Sequence, residues 1–219
     1  MWRVLGFLHA LVLCLYAGQA EAGAWPRQKG ALFVSTANYG PIPTVGVQGT
    51  FTSVYLEYGL TDKITVGLDL GRGVSGKSKT VVFGRIPIGP TDGKWRFAAE
   101  LGIGKIAGEQ VIRPGFSIGR SVDWADGGWL SLDLTSEIQQ TGARLDIKGD
   151  FTFGLRLSPR LTAMVQIQGG LPHKEPDFLR IVPSILFDMR RKEKLEFGLS
   201  HDFMNPGVPG IKVGYWKDF

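Results

Sequence analysis

Residues 57–71 read EYGLTDKITVGLDLG. After the turn residues Gly59-Leu60-Thr61-Asp62-Lys63, the aliphatic Ile64, Val66, Leu68 and Leu70 alternate with Thr65, Gly67, Asp69 and Gly71. A period of two places the aliphatic set on one face of a strand and the small or charged set on the other. With the preceding EYG, the segment reads as two strands joined by a short polar turn. Two further stretches repeat the pattern. Trp95, Phe97, Ala99, Leu101 and Ile103 alternate with Arg96, Ala98, Glu100 and Gly102. Leu145, Ile147, Phe151, Phe153 and Leu155 alternate with Asp146, Lys148, Asp150, Thr152 and Arg156.

Extended along the chain, the alternation predicts twelve strands, with ten and fourteen as the neighbouring even counts. They fall at 31–39, 50–58, 64–72, 78–88, 95–104, 111–121, 128–137, 145–157, 161–169, 178–187, 194–202 and 209–219. Turn residues separate them, as in GPTDGK at 89–94 and DWADGG at 123–128, and no window carries a helical period. A hydrophobic content of 43% argues against a disordered chain, and 31 glycines argue against a helical bundle. One cysteine excludes a disulfide scaffold. The 25 basic residues are dispersed among 20 acidic ones, so the net charge of +5 forms no stripe for a nucleic acid.

The N-terminus carries Arg3, an apolar run from Val4 to Gly18, and Ala20-Glu21-Ala22. This order predicts a secretory signal peptide over 1–22, cleaved after Ala22, with residues 23–219 as a single exported domain. Cys14 follows Leu13 rather than a small residue, so it reads as part of the leader and not as a lipidation site. No later run of 18 apolar residues suggests a transmembrane helix.

The alternation leaves two ways to roll the sheet: a soluble secreted β-protein with its apolar face inside, or a membrane barrel with that face outside. Three features favour the barrel. Strands of about ten residues cross a bilayer when tilted. The polar faces are rich in glycine, which suits a narrow lumen. Tyr39, Phe51, Tyr58, Trp95, Phe178, Phe187 and Phe219 lie near strand ends, as interfacial girdles do. Connections after odd-numbered strands read as slightly longer than those after even ones, which predicts periplasmic turns, external loops and both termini in the periplasm. The fold class is therefore all-β: a single antiparallel up-and-down transmembrane β-barrel.

The chain ends GIKVGYWKDF, with Ile211, Val213, Tyr215 and Phe219 on one face. This resembles the terminal assembly signal of Gram-negative outer-membrane β-barrel proteins, although Lys217 departs from the usual apolar choice. Residues 57–71 are likewise similar to hairpins of small outer-membrane barrels, including porin and putative-transporter types. The resemblance implies insertion by the barrel-assembly machinery into outer-membrane lipid and lipopolysaccharide.

Chemistry has few candidates. Downstream of the leader stand only His173 and His201. Ser200 and His201 are adjacent on a strand and so point to opposite faces, which prevents a nucleophile–base pair. His173, Glu175, Asp177, His201 and Asp202 read as solvated loop and rim residues rather than a metal site. No catalytic site, metal or cofactor is expected. The lumen is the candidate site, with Arg85, Arg96, Glu100, Arg113, Asp133, Glu137, Asp146, Lys148, Asp150, Arg156 and Arg180 lining it by parity. These charges either line a narrow channel for small polar or charged solutes, or pair across the lumen in a non-conducting structural barrel. A surface enzyme is the weakest reading. Pairing Ile88 with Trp95 would set Arg85 opposite Ala98 and beside Arg96, making with Arg156 a basic ring at one mouth. Pro114 and Pro183 interrupt the sixth and tenth strands, which predicts bulges or shifted boundaries.

If the terminal pattern is an assembly signal, deleting Phe219 will lower outer-membrane levels far more than deleting an external-loop residue. Equal levels in fractionated membranes would break the link between this motif and insertion.

Overall fold

The structure is a computed structural model, which describes residues 23–42, 50–73, 76–142, 144–173, 175–206 and 209–219. The leader expected over 1–22 lies outside them. Twelve antiparallel strands form one closed barrel: β1 (Leu32–Pro41), β2 (Phe51–Gly59), β3 (Thr65–Gly73), β4 (Ser78–Pro87), β5 (Trp95–Ile106), β6 (Glu109–Val122), β7 (Gly128–Gln139), β8 (Leu145–Ser158), β9 (Leu161–Leu171), β10 (Phe178–Asp188), β11 (Glu193–Asp202) and β12 (Gly210–Asp218). Each strand pairs with its sequence neighbours, and β1 closes on β12, where Phe33 lies opposite Asp218 and Pro41 opposite Gly210. Closure leaves no sheet edge unpaired.

The apolar face points outward. Val82, Leu101, Ile103 and Leu199 are each more than half exposed, whereas Glu57, Arg85, Arg113 and Glu196 on the other face are buried. A soluble β-protein would show the reverse. The end carrying Leu32 and Phe219, with the turns after β2, β4, β6, β8 and β10, is called the terminal end below, and the opposite rim the distal end.

Several local expectations are corrected. Of the end aromatics, Tyr58, Trp95, Phe187 and Phe219 face outward, all at the terminal end. Tyr39, Phe51 and Phe178 face the lumen instead: Tyr39 sits opposite Phe51 and under Lys212, and Phe178 covers Gly170. The slight excess of distal over terminal loop length holds on average but has exceptions. The distal β5–β6 connection is only Ala107-Gly108, both with positive φ (49° and 86°), while residues 88–94 form the longer terminal β4–β5 turn. Two left-handed residues suit a tight hairpin whose twist matches its strands.

The prolines cause neither bulges nor shifted ends. β6 pairs with β5 through Pro114, opposite Leu101, but its ladder to β7 skips Arg113 and Pro114 and resumes in unchanged register. β10 pairs with β9 at Pro183, opposite Val165, and skips Val182 and Pro183 toward β11. The missing proline N–H therefore opens one side of the strand only. Among the described residues, the one register shift lies between Arg156 and Ser158 at the end of β8.

Leu101 is 60% exposed near the middle of β5. In lipid vesicles, Leu101→Arg is expected to lower barrel stability by about 2–4 kcal/mol, measured by denaturant titration, because it places a charge at bilayer mid-depth. An unchanged midpoint would mean that this face does not meet lipid.

The lumen as candidate functional site

Inward positions of β2 to β6 carry acids and bases at matching depths. Register decides which of them meet. The β4–β5 ladder sets Arg85 opposite Glu100, and Pro87 opposite Ala98. The expected Arg85–Ala98 pairing is thus wrong by two residues. A shift of two preserves the face but changes the partner, so the arginine meets an acid rather than a second arginine. No basic ring forms around Arg85.

Arg85 instead bridges two carboxylates. Nη1 reaches Glu57 Oε1 at 2.5 Å, and Nη2 reaches Glu100 Oε2 at 2.7 Å and donates to the Tyr55 hydroxyl at 2.9 Å. The series continues on both sides. Arg113 joins Glu100 (2.9 Å) to Asp69 (2.5 Å), and Lys79 meets Asp69 at 2.7 Å. Toward the terminal end, Arg27 Nε donates to Glu57 Oε2 at 2.7 Å, and its Nη1 lies 3.6 Å from Asp218. Cation and acid alternate without a break from Lys79 to Asp218. The Phe83 ring lies beneath the network, stacked on Tyr55 with centroids 5.5 Å apart and with both Arg85 and Arg113 over its face.

Arg27 belongs to a segment, residues 23–31, that enters the barrel before β1. Ala24 and Trp25 are buried against inward-facing Trp129, Met164 and Leu186, with Trp216 packed beside them. Trp25 occupies the space over Gly119, and Trp129 that over Gly154; a Cβ at either glycine would overlap the indole. Backbone bonds fix the segment at the mouth, from Arg27 N to Thr65 Oγ1 (3.0 Å), Lys29 N to Asp62 Oδ1 (3.2 Å) and Gly30 N to Gly59 O (2.8 Å). An apolar cluster thus crosses the lumen in its terminal half.

A cavity of about 300 Å³ remains, extending from Phe33 and Trp216 to Lys79, Glu137 and Lys148. Arg85, Glu100, Arg113, Asp133, Glu137, Lys148 and Asp150 all line it. Arg96, Asp146, Arg156 and Arg180 share the inward parity but stand outside this cavity: Arg96 and Arg156 near the terminal end, Asp146 and Arg180 near the distal one. Asp146 accepts the His173 backbone N–H at 2.7 Å, and Lys148 pairs with Glu137 at 2.7 Å. On the far wall Lys212 meets Glu196 at 2.6 Å and donates to Gln166 at 2.8 Å. The lining also includes Arg27, Tyr55, Lys79 and Gln166, which sequence reasoning did not single out as site residues.

The rim histidines are scattered. His201 faces outward opposite Ile181 and packs edge-on to Phe203, while Glu175 pairs with Lys77. Asp202 accepts the Met204 and Asn205 backbone N–H groups. Ile211, Val213 and Tyr215 share the outward face of β12 and Phe219 follows them, 60% exposed, beside Lys217.

No family model matches the sequence, and neither does any curated protein. Among solved structures, the KdgM porin aligns with a TM-score of 0.63 at 7% identity, covering 85% of this chain and 99% of its own. An outer membrane channel from Pseudomonas putida F1 gives 0.60 at 9% identity, covering 92% and 100%. The NanC porin gives 0.59 at 8%, covering 84% and 98%. The chain, a closed twelve-stranded barrel, shares the fold of these outer-membrane porins and channels. These neighbours are porins and channels rather than enzymes, and at such identities the likeness concerns the fold.

Arg85→Met should cost about 3–5 kcal/mol in denaturant titrations, because it leaves Glu57 and Glu100 short of a shared cation in a buried network. A cost below about 1 kcal/mol would show that lumenal water already screens these acids.

Proposed function

We propose that this protein is an exported outer-membrane barrel whose lumen is a narrow passage for small charged or polar solutes, closed toward its terminal end by residues 23–31. The cavity carries the reading. A purely structural barrel has no need of a chamber of about 300 Å³ walled by charges of both signs, with the Asp150 side chain exposed inside it. Opposed acidic and basic walls orient a polar solute and lower the cost of dehydrating it. One structural neighbour was solved as a porin in complex with oligogalacturonate, an acidic sugar chain, which adds support for a polar cargo. Lipid, lipopolysaccharide and the barrel-assembly machinery complete the proposed partners, with Ile211, Val213, Tyr215 and Phe219 as the segment read during insertion. The reaction class is transport, with no catalytic step.

The second reading, a non-conducting barrel, draws on the apolar cluster. Ala24 and Trp25 are 1% and 9% exposed, so the closed state is tightly packed. Planar-bilayer recordings separate the two. The mature protein should show small or infrequent openings, and Trp25→Ala, which removes the indole from the seal, should raise conductance several-fold. Silence from both proteins, with normal heat-modifiable mobility on gels, would favour the structural barrel.

A further inference from the structure

The cavity lining has one imbalance. Glu57, Asp69, Glu100 and Glu137 each meet a lysine or arginine at ion-pair distance. Asp133 and Asp150 meet none among the described residues, and they sit directly opposite each other across β7 and β8. Their only direct side-chain partner is neutral: Ser117 Oγ donates to Asp133 Oδ1 at 2.6 Å. Like charges facing across a ladder repel.

Gly23 lies where a counter-charge is wanted. It lines the same cavity, held there by the buried Ala24 and Trp25. A Cβ built on Gly23 would overlap the Asp133 carboxylate, so its Cα already touches that group. The Gly23 nitrogen is one bond of about 1.46 Å away. In a chain that continues back through Ala22 this nitrogen is a neutral amide. In a chain cut after Ala22 it is a primary ammonium with three donors.

We propose that the α-ammonium group created at Gly23 by signal cleavage is the counter-ion of the Asp133–Asp150 pair, and that it locks the N-terminal segment inside the lumen. The proposal rests on the export-and-cleavage reading and not on conduction. Side chains of the lining provide six carboxylates against five cations, and the ammonium makes them even. Glycine is also demanded by the space, since any Cβ at this position would overlap the Asp133 carboxylate. The closed lumen is then a product of processing: a chain that keeps its leader carries no charge at this point.

The test uses the mature protein extracted from outer membranes. N-terminal sequencing should begin at Gly23. An amine-reactive ester near neutral pH, with mass-spectrometric readout of the Gly23 α-amine, should label the native barrel at least about tenfold more slowly than the heat-unfolded chain. An opposing charge within about 4–6 Å shifts such a proton equilibrium by one unit or more, and each unit removes nine-tenths of the reactive amine. Asp133→Asn with Asp150→Asn should restore labelling by about the same factor in a barrel that is still heat-modifiable, and should expose Arg27 to trypsin. A mature chain starting elsewhere overturns the proposal, as does native labelling at the unfolded rate. A folded double variant as unreactive as the parent also overturns it, since burial alone would then account for protection. Should the double variant fail to fold, a serine inserted between Ala22 and Gly23 asks the same question with both acids intact. Fast labelling of the displaced amine is expected there, and parental protection overturns the ion pair.

Discussion

Arg85 holds two carboxylates on different strands, and the rest of the lumen is arranged around that contact. A charge inside a barrel loses much of its hydration, so it persists only where neighbours of opposite sign replace the water. The sequence of contacts from Lys79 through Asp69, Arg113, Glu100, Arg85, Glu57 and Arg27 to Asp218 meets this condition by strict alternation. Each interior member has an opposite charge on either side. The network spans β2 to β6 and reaches β12, so removing one member unbalances acids or bases on two strands at once. It also opposes a slip of the β4–β5 register, which would part Arg85 from Glu100.

Electrostatics alone would leave a barrel of this size partly hollow. The apolar cluster fills the terminal half from inside, using the glycines that make the inner face look featureless. Gly119 and Gly154 are spaces for the Trp25 and Trp129 indoles as much as they are backbone residues. Ring and glycine are complementary across the wall, and either without its partner would leave a void or a clash. The N-terminal segment thus completes a packing problem that the strands pose but do not solve.

Much of this was legible in the sequence because a period of two is difficult to produce by chance over twelve segments. All twelve strands fall within two residues of their expected limits, and the inward parity of the charged residues follows from alternation alone. Register is a different matter. Alternation is blind to a slip of two, so Arg85 could be assigned a face but not a partner, and its partner was misassigned. The girdle reading failed at three of its seven residues for a related reason: proximity to a strand end does not fix a face, and Tyr39, Phe51 and Phe178 have inward parity. The N-terminal segment has no period to betray it. Its signal lay elsewhere, in Val182 and Leu186, apolar residues at inward positions of β10. With Trp129, Met164 and Trp216 they form an inward apolar set, and such a set inside a polar lumen requires an apolar occupant.

How firmly that occupant is held bears on what the barrel can do. Burying an indole removes about 150–250 Å² from water, worth roughly 4–6 kcal/mol. Ordering residues 23–29 costs about 1–2 kcal/mol each, or roughly 7–14 kcal/mol together. Trp25 alone therefore does not hold the segment. The backbone bonds to Thr65, Asp62 and Gly59 add about 1 kcal/mol apiece, and Arg27 adds its pairing with Glu57 and Asp218. Burial and these bonds together supply about 7–9 kcal/mol, near the low end of that cost, and the ionic contacts offset part of the remainder. A segment held by a sum of small, partly electrostatic contributions can be displaced without unfolding the strands around it, because residues 23–29 belong to no β-ladder. The wall is fixed by hydrogen-bonded closure, while the plug depends on charges that a solute of the right sign can compete for. That separation of a rigid barrel from a marginally held occupant is what the proposed passage would require, and the cavity beside the occupant is lined by charges of both signs.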